Sequence, residues 1–146
     1  MQQGENKRQH LQFIQDIVTR MSGNSFLLRG WSVSLITAIV GFALKSQGAT
    51  YGTYLLFTAI FLVVVFWLLD AYYLSHERAY RCLYKEVSKM TEENINYSLD
   101  ANAYIKGGNT WFSSIFSSVF LVFYMPVLVG LLLVCSRLID IDINLK

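Results

Sequence analysis

Aspartate, glutamate, lysine and arginine are absent from three long stretches of this chain: residues 30–44, 46–69 and 107–136. Proline occurs once, so little interrupts a helix; the two cysteines and two histidines are too few for a disulfide framework or a histidine-rich metal site. No glycine-rich phosphate cradle, nucleophile elbow or metal-helix motif is present. Nor do carboxylates, histidines or cysteines collect at one depth, as proton transfer or metal ligation would require. These absences argue against an enzyme and predict no catalytic residue, no metal and no cofactor.

What is present is apolar. The chain has 146 residues, 54% hydrophobic and 15% charged, an apolar share above the soluble average at a length that suits one domain. Crossing about 30 Å of hydrocarbon takes roughly 20 apolar residues at about 1.5 Å each. The second and third uncharged runs meet this unaided, and the first meets it if Phe26, Leu27 and Leu28 join it while Arg29 snorkels to the headgroups. The expected fold class is an all-α integral membrane protein of three transmembrane helices. A polar, charged stretch precedes the first span and no small-residue cleavage site follows it, so an uncleaved anchor is expected in place of a signal peptide.

The net charge of +2 gives no case for nucleic-acid binding from the total, and no double-stranded partner is expected; its distribution is more informative. Four Lys or Arg precede span one, Lys45 lies between spans one and two, five lie between spans two and three, and two follow. The positive-inside bias then puts the N-terminus and residues 74–110 in the cytoplasm, and loop 46–53 and tail 139–146, with Asp140 and Asp142, outside. Cys82 and Cys135 fall toward opposite faces, predicting two free thiols.

Leu11, Phe13, Ile14, Ile17, Val18 and Met21 recur at helical spacing, predicting an N-terminal amphipathic helix over 1–24. Ser22-Gly-Asn-Ser25 reads as its end, with Ser25 capping the next helix. Span one (25–45) carries Gly30, Ser34, Ala38 and Gly41 on one stripe, a pattern that lets backbones approach closely in lipid. The stripe suits contact with the other spans, contact with another subunit, or a pore lining with Ser34 and Thr37.

Span two (54–73) ends in an aromatic belt of Trp67, Tyr72 and Tyr73 and has no breaker after it, so the helix should continue to about Lys89. Asp70 reads as an interface residue, or as a structural lock if Arg29 is its partner. Beyond it, Arg78, Arg81, Lys85 and Lys89 share one helix face, opposite His76, Tyr80, Leu83, Val87 and Met90. That ridge suits a solvated face, lipid headgroups or a phosphate chain. Residues 91–110 read as a surface segment, with Ile95, Tyr97 and Leu99 alternating like extended chain. Span three (111–138) opens on Trp111 with Ser113, Ser114, Ser117 and Ser118, and Pro126 should kink it. A kinked, hydroxyl-rich helix suits a gate as well as an inert span.

The strings RMSGNSFLLRGWSVSLITAI, FWLLDAYYLSHERAYRCLYKEV and WFSSIFSSVFLVFYMPVLVGLLLV resemble small bacterial membrane effectors encoded beside nucleotidyltransferases in anti-phage operons, the Hailong-type HalA effectors and more distantly the SLATT group. The resemblance covers nearly the whole chain and rests on GWSV, on LDAYYL-x-x-ER-x-YR-x-LY and on hydrophobic pattern. It implies a homo-oligomeric channel, such as a tetramer, in the bacterial inner membrane. Activation during infection would breach that membrane under control of a nucleotide or DNA-oligomer signal from the partner enzyme. The candidate signal contacts, inferred from the charge ridge and not carried over from the family, are Arg78, Arg81, Lys85 and Lys89 with Arg8 and Arg20. A non-conducting anchor that docks a cytoplasmic partner is the competing expectation.

Overall fold

A computed structural model describes residues 4–45 and 49–144. Two 41-residue helices dominate: α1 (Glu5–Lys45) and α2 (Ala49–Lys89). Three short 3-10 turns follow at Glu92–Asn94, Asn102–Tyr104 and Gly107–Asn109, then α3 (Trp111–Ile115), a π-helical turn (Phe120–Tyr124) and α4 (Met125–Asn144). No strand occurs among the described residues. Three segments, Glu5–Lys45, Thr50–Lys89 and Trp111–Arg137, are long and apolar enough to cross a membrane, as the uncharged runs require. Cys82 and Cys135 are free.

Four expectations need correction. First, α1 runs through Ser22-Gly-Asn-Ser25 without a break. The buried positions of α1, His10, Ile14, Val18, Ser25, Ser32, Ile36 and Ala43, step by fours and sevens, so the seven-residue register continues across the weak sequence. One interior glycine costs only about 1 kcal/mol in a helix, less than a seam of buried side chains supplies. Second, Ala49 to Thr53 of the expected 46–53 loop already belong to α2; residues 46–48, like 1–3, 145 and 146, lie outside the described residues.

Third, the 91–110 segment is docked, not merely superficial. Ile95 and Ala101 are buried with Ile14, Ala79, Leu83 and Val87. Its alternation comes from turns, not from a strand: Asn96 Oδ1 accepts the amide of Ser98 (3.0 Å), Ser98 Oγ that of Asp100 (3.1 Å), and Asp100 Oδ1 that of Asn102 (2.9 Å). Each polar side chain thus satisfies the backbone two residues on. Fourth, span three is interrupted at Phe116–Ser117 as well as near Pro126. The proline supplies no N–H to the turn before it and its ring crowds the carbonyl four residues back, and the chain absorbs this in a π turn, where the Met125 amide reaches the Phe120 carbonyl.

The chain divides into two compact units. The first takes the described residues of Met1–Phe26 with Ala71–Ile115, around the core of Ile14, Leu83, Val87 and Ile95. There Lys7 joins the start of α1 to the end of α2, its ammonium donating to the Ser88 (3.0 Å) and Met90 (2.7 Å) carbonyls, which a helix C-terminus leaves open. Lys7→Ala should lower local stability by about 1 kcal/mol, read as faster amide exchange over residues 91–95. The second unit, Leu27–Asp70 with Phe116–Lys146, holds the apolar core of Ile36, Leu56, Ala59, Val63, Tyr124 and Leu131.

Candidate functional site

In the second unit the uncharged runs are bounded by one ion pair. Arg29 Nε donates to Asp70 Oδ2 at 2.9 Å and Nη2 to Oδ1 at 3.4 Å, so α1 grips α2 through both carboxylate oxygens. Asp70 is 2% exposed, and a carboxylate taken out of water persists as an ion only when paired and hydrogen-bonded. Tyr124, 1% exposed in the π turn, brings in the third apolar segment: its hydroxyl donates to the Phe66 carbonyl (3.4 Å) and interacts with the Asp70 carboxylate. Ser32, buried one turn on, donates back to the Arg29 carbonyl at 2.8 Å. All three spans therefore meet at one polar cluster, and Asp70 takes the lock role.

A cavity of about 100 Å³ adjoins the cluster, lined by Ser32, Ile36, Thr37, Val63, Phe123 and Tyr124 among others. Farther along, Trp67 stacks on Phe120 at 4.3 Å and meets Phe116 edge-on at 6.5 Å. The interrupted stretch of the third span is thus wedged against α2 by aromatic rings.

Apart from Thr37, which borders that cavity, the small-residue stripe of α1 lies elsewhere. Gly30, Ser34, Thr37, Ala38 and Gly41 are all exposed, and a Cβ placed on Gly30 or Gly41 meets nothing within 4 Å. Contact of this stripe with the chain's own spans is overturned; the intrachain seam uses Ser32, Ile36 and Ala43 instead. The Ser34 hydroxyl is turned back onto the Gly30 carbonyl at 3.0 Å. In the third span, Ser114 and Ser117 are buried, whereas Ser118 and Pro126 are exposed.

In the first unit the basic ridge divides. Arg78 donates to the Gly108 carbonyl (3.1 Å) and to Ser114 Oγ (3.5 Å), holding the segment before α3. Arg81 is bound by Glu77 one turn earlier at 2.8 Å. Lys85, Lys89 and Arg20 are exposed, and Arg8, beside Glu5 at 3.7 Å, borders a cleft with Lys7, Leu11 and Tyr84. The sequence-predicted contacts are therefore not equivalent: the guanidiniums of Arg78, Arg81 and Arg8 already have partners, and the two lysines project freely from the end of α2.

Sequence reasoning did not single out Tyr124, Ser32 or the burial of His10. Tyr124 carried a signal, since a phenol inside a long apolar run needs a partner for its hydroxyl. Tyr104, on the connecting segment, has its phenol proton held more tightly than usual by burial and by a hydrogen bond to Glu86. Among the described residues no three His, Cys, Asp or Glu gather as metal ligands. The chain matches no protein-family model, no curated protein and no solved structure.

Proposed function

We propose that this chain is the subunit of a homo-oligomeric membrane channel or pore, an effector of bacterial anti-phage defence that breaches the inner membrane in response to a nucleotide or DNA-oligomer signal. The observation that carries the reading is the exposed stripe Gly30, Ser34, Ala38 and Gly41, with Thr37 at its edge. Three helices enclose no aqueous path alone, and in lipid a small, hydroxyl-bearing helix face is suited to close contact with another copy or to water. The buried Arg29–Asp70–Tyr124 cluster holds each subunit together while the stripe serves assembly. In this reading the N-terminus is cytoplasmic, and Lys85, Lys89, Arg8 and Arg20, with Arg81 released from Glu77, meet the phosphates of the signal. The resemblance to Hailong-type effectors supports the defence setting and the class of signal.

Purified protein in liposomes should pass ions and run in detergent as a defined multimer. Gly30→Leu with Gly41→Leu should leave each subunit folded, because both sites open onto free space, but should collapse the multimer to smaller species and abolish flux. Flux and size unchanged in the double variant would remove the stripe from the interface. Exchanging Lys85 and Lys89 for glutamate should reduce the response to signal at least tenfold while insertion and assembly persist.

A second reading is a non-conducting anchor that docks a cytoplasmic protein. The exposed Phe13, Tyr97 and Leu99 around one cleft of the first unit favour it. It requires silent liposomes and loss of partner when Phe13 and Leu99 are made polar.

A further inference from the structure

His10 stands at the start of α1 and is 4% exposed. Its Nε2 is sealed from solvent with no hydrogen-bond partner, and its ring meets the edge of Tyr97 with centroids 5.4 Å apart. Tyr97 is held with φ at 53°, a left-handed conformation unfavourable for a bulky side chain, so the docked segment is under strain where it touches the imidazole. Burial, and no charged neighbour, is what acts on the imidazole here. Along α1 the neighbouring cleft presents Asn6, Gln9 and Phe13, and from the connecting segment Tyr97 and Leu99. The adjoining core from α2 is Ala79, Leu83 and Val87.

The ionisable groups close by have other partners, except at Glu92 Oε2, which is buried with no hydrogen bond. Glu92 accepts the Lys7 amide at 3.3 Å and bonds the Tyr97 side chain; the Lys7 ammonium is held by the Ser88 and Met90 carbonyls; Arg8 faces Glu5. In this arrangement no group accepts a hydrogen bond from Nε2, so an imidazolium held here would be a buried charge with an unsatisfied donor.

We propose that His10 is a proton-operated latch: neutral, it lets residues 95–101 stay docked on the first turns of α1, and protonated, it releases them. The latch acts within the first unit and does not depend on conduction. Burial lowers the proton affinity of the imidazole below its ordinary value of 6.5. The undocked state therefore binds the proton more tightly than the docked one. Docking is complete above that value and weakens as pH falls below it, by up to about tenfold per pH unit for one proton.

Amide exchange of residues 95–101, measured on the full chain in micelles and corrected for the intrinsic pH dependence, should rise by about tenfold per unit once pH falls below the ordinary histidine range. His10→Phe keeps a ring against Tyr97 but cannot take up a proton, and its corrected exchange should be flat with pH. An equal acid response in His10→Phe, or no response in the wild type, overturns the latch. Should that variant not fold, ring NMR of the wild type decides. His10 titrating below 6.5 supports the proposal and His10 titrating at or above it overturns it.

Discussion

Asp70→Ala should destabilise the chain by about 3–5 kcal/mol, because it leaves the Arg29 guanidinium beside an apolar core without its carboxylate. The loss is larger than that of an exposed ion pair. Asp70 is almost fully covered, and the same carboxylate also interacts with the Tyr124 hydroxyl, so one truncation removes the tie among all three spans. Removing both charges has a different sign of argument. Asp70→Leu with Arg29→Met deletes the desolvation penalty together with the attraction, and apolar replacements of buried ion pairs are often neutral or better. The double variant should recover most of the stability lost by Asp70→Ala, and Tyr124→Phe alone should cost about 1 kcal/mol. Denaturant titration in mixed micelles measures all three. A double variant no more stable than the single would mean that the pair does more than satisfy itself.

That pair shows what the sequence made legible. Two charges at the margins of uncharged runs had to be either snorkelling or paired, and Arg29 and Asp70 were nameable as partners before any geometry, while choosing between the roles needed burial. The helices themselves were legible for the reason the membrane was: long apolar runs with one proline permit little else. Two signals misled. The Ser-Gly-Asn-Ser string has the local chemistry of a helix end, but the seven-residue seam from His10 to Ala43 passes through it, and a packing register outweighs a propensity. Gly30, Ser34, Ala38 and Gly41 were correctly seen as one face; whether that face meets the chain's own spans is a question of rotation about the helix axis, which Ser32 and Ile36 decide by occupying the seam. The charge ridge was legible as a face but not as a site, because Glu77 and the Gly108 carbonyl are brought to Arg81 and Arg78 only by the fold.

The two cores offer a direct test of which solvent each one faces. Ile14 and Leu56 are both fully buried, the first in the unit around Leu83 and Ile95, the second in the unit around Val63 and Leu131. In water, truncating a large aliphatic to alanine loses the transfer free energy of the missing carbons and adds a cavity term, together about 2–5 kcal/mol. In lipid the unfolded reference keeps its side chains in hydrocarbon, so the transfer contribution vanishes and only lost packing remains. Ile14→Ala should therefore fall in the full range, whereas Leu56→Ala should cost roughly half as much, since packing alone is lost. The contrast is sharper in heat capacity, because only the first variant changes how much apolar surface meets water on unfolding. Comparing the two by denaturant titration in micelles and by local amide exchange separates the contributions. Equal losses at both positions would place both cores in the same solvent, and the uncharged runs would then have to be explained as the interior of a protein.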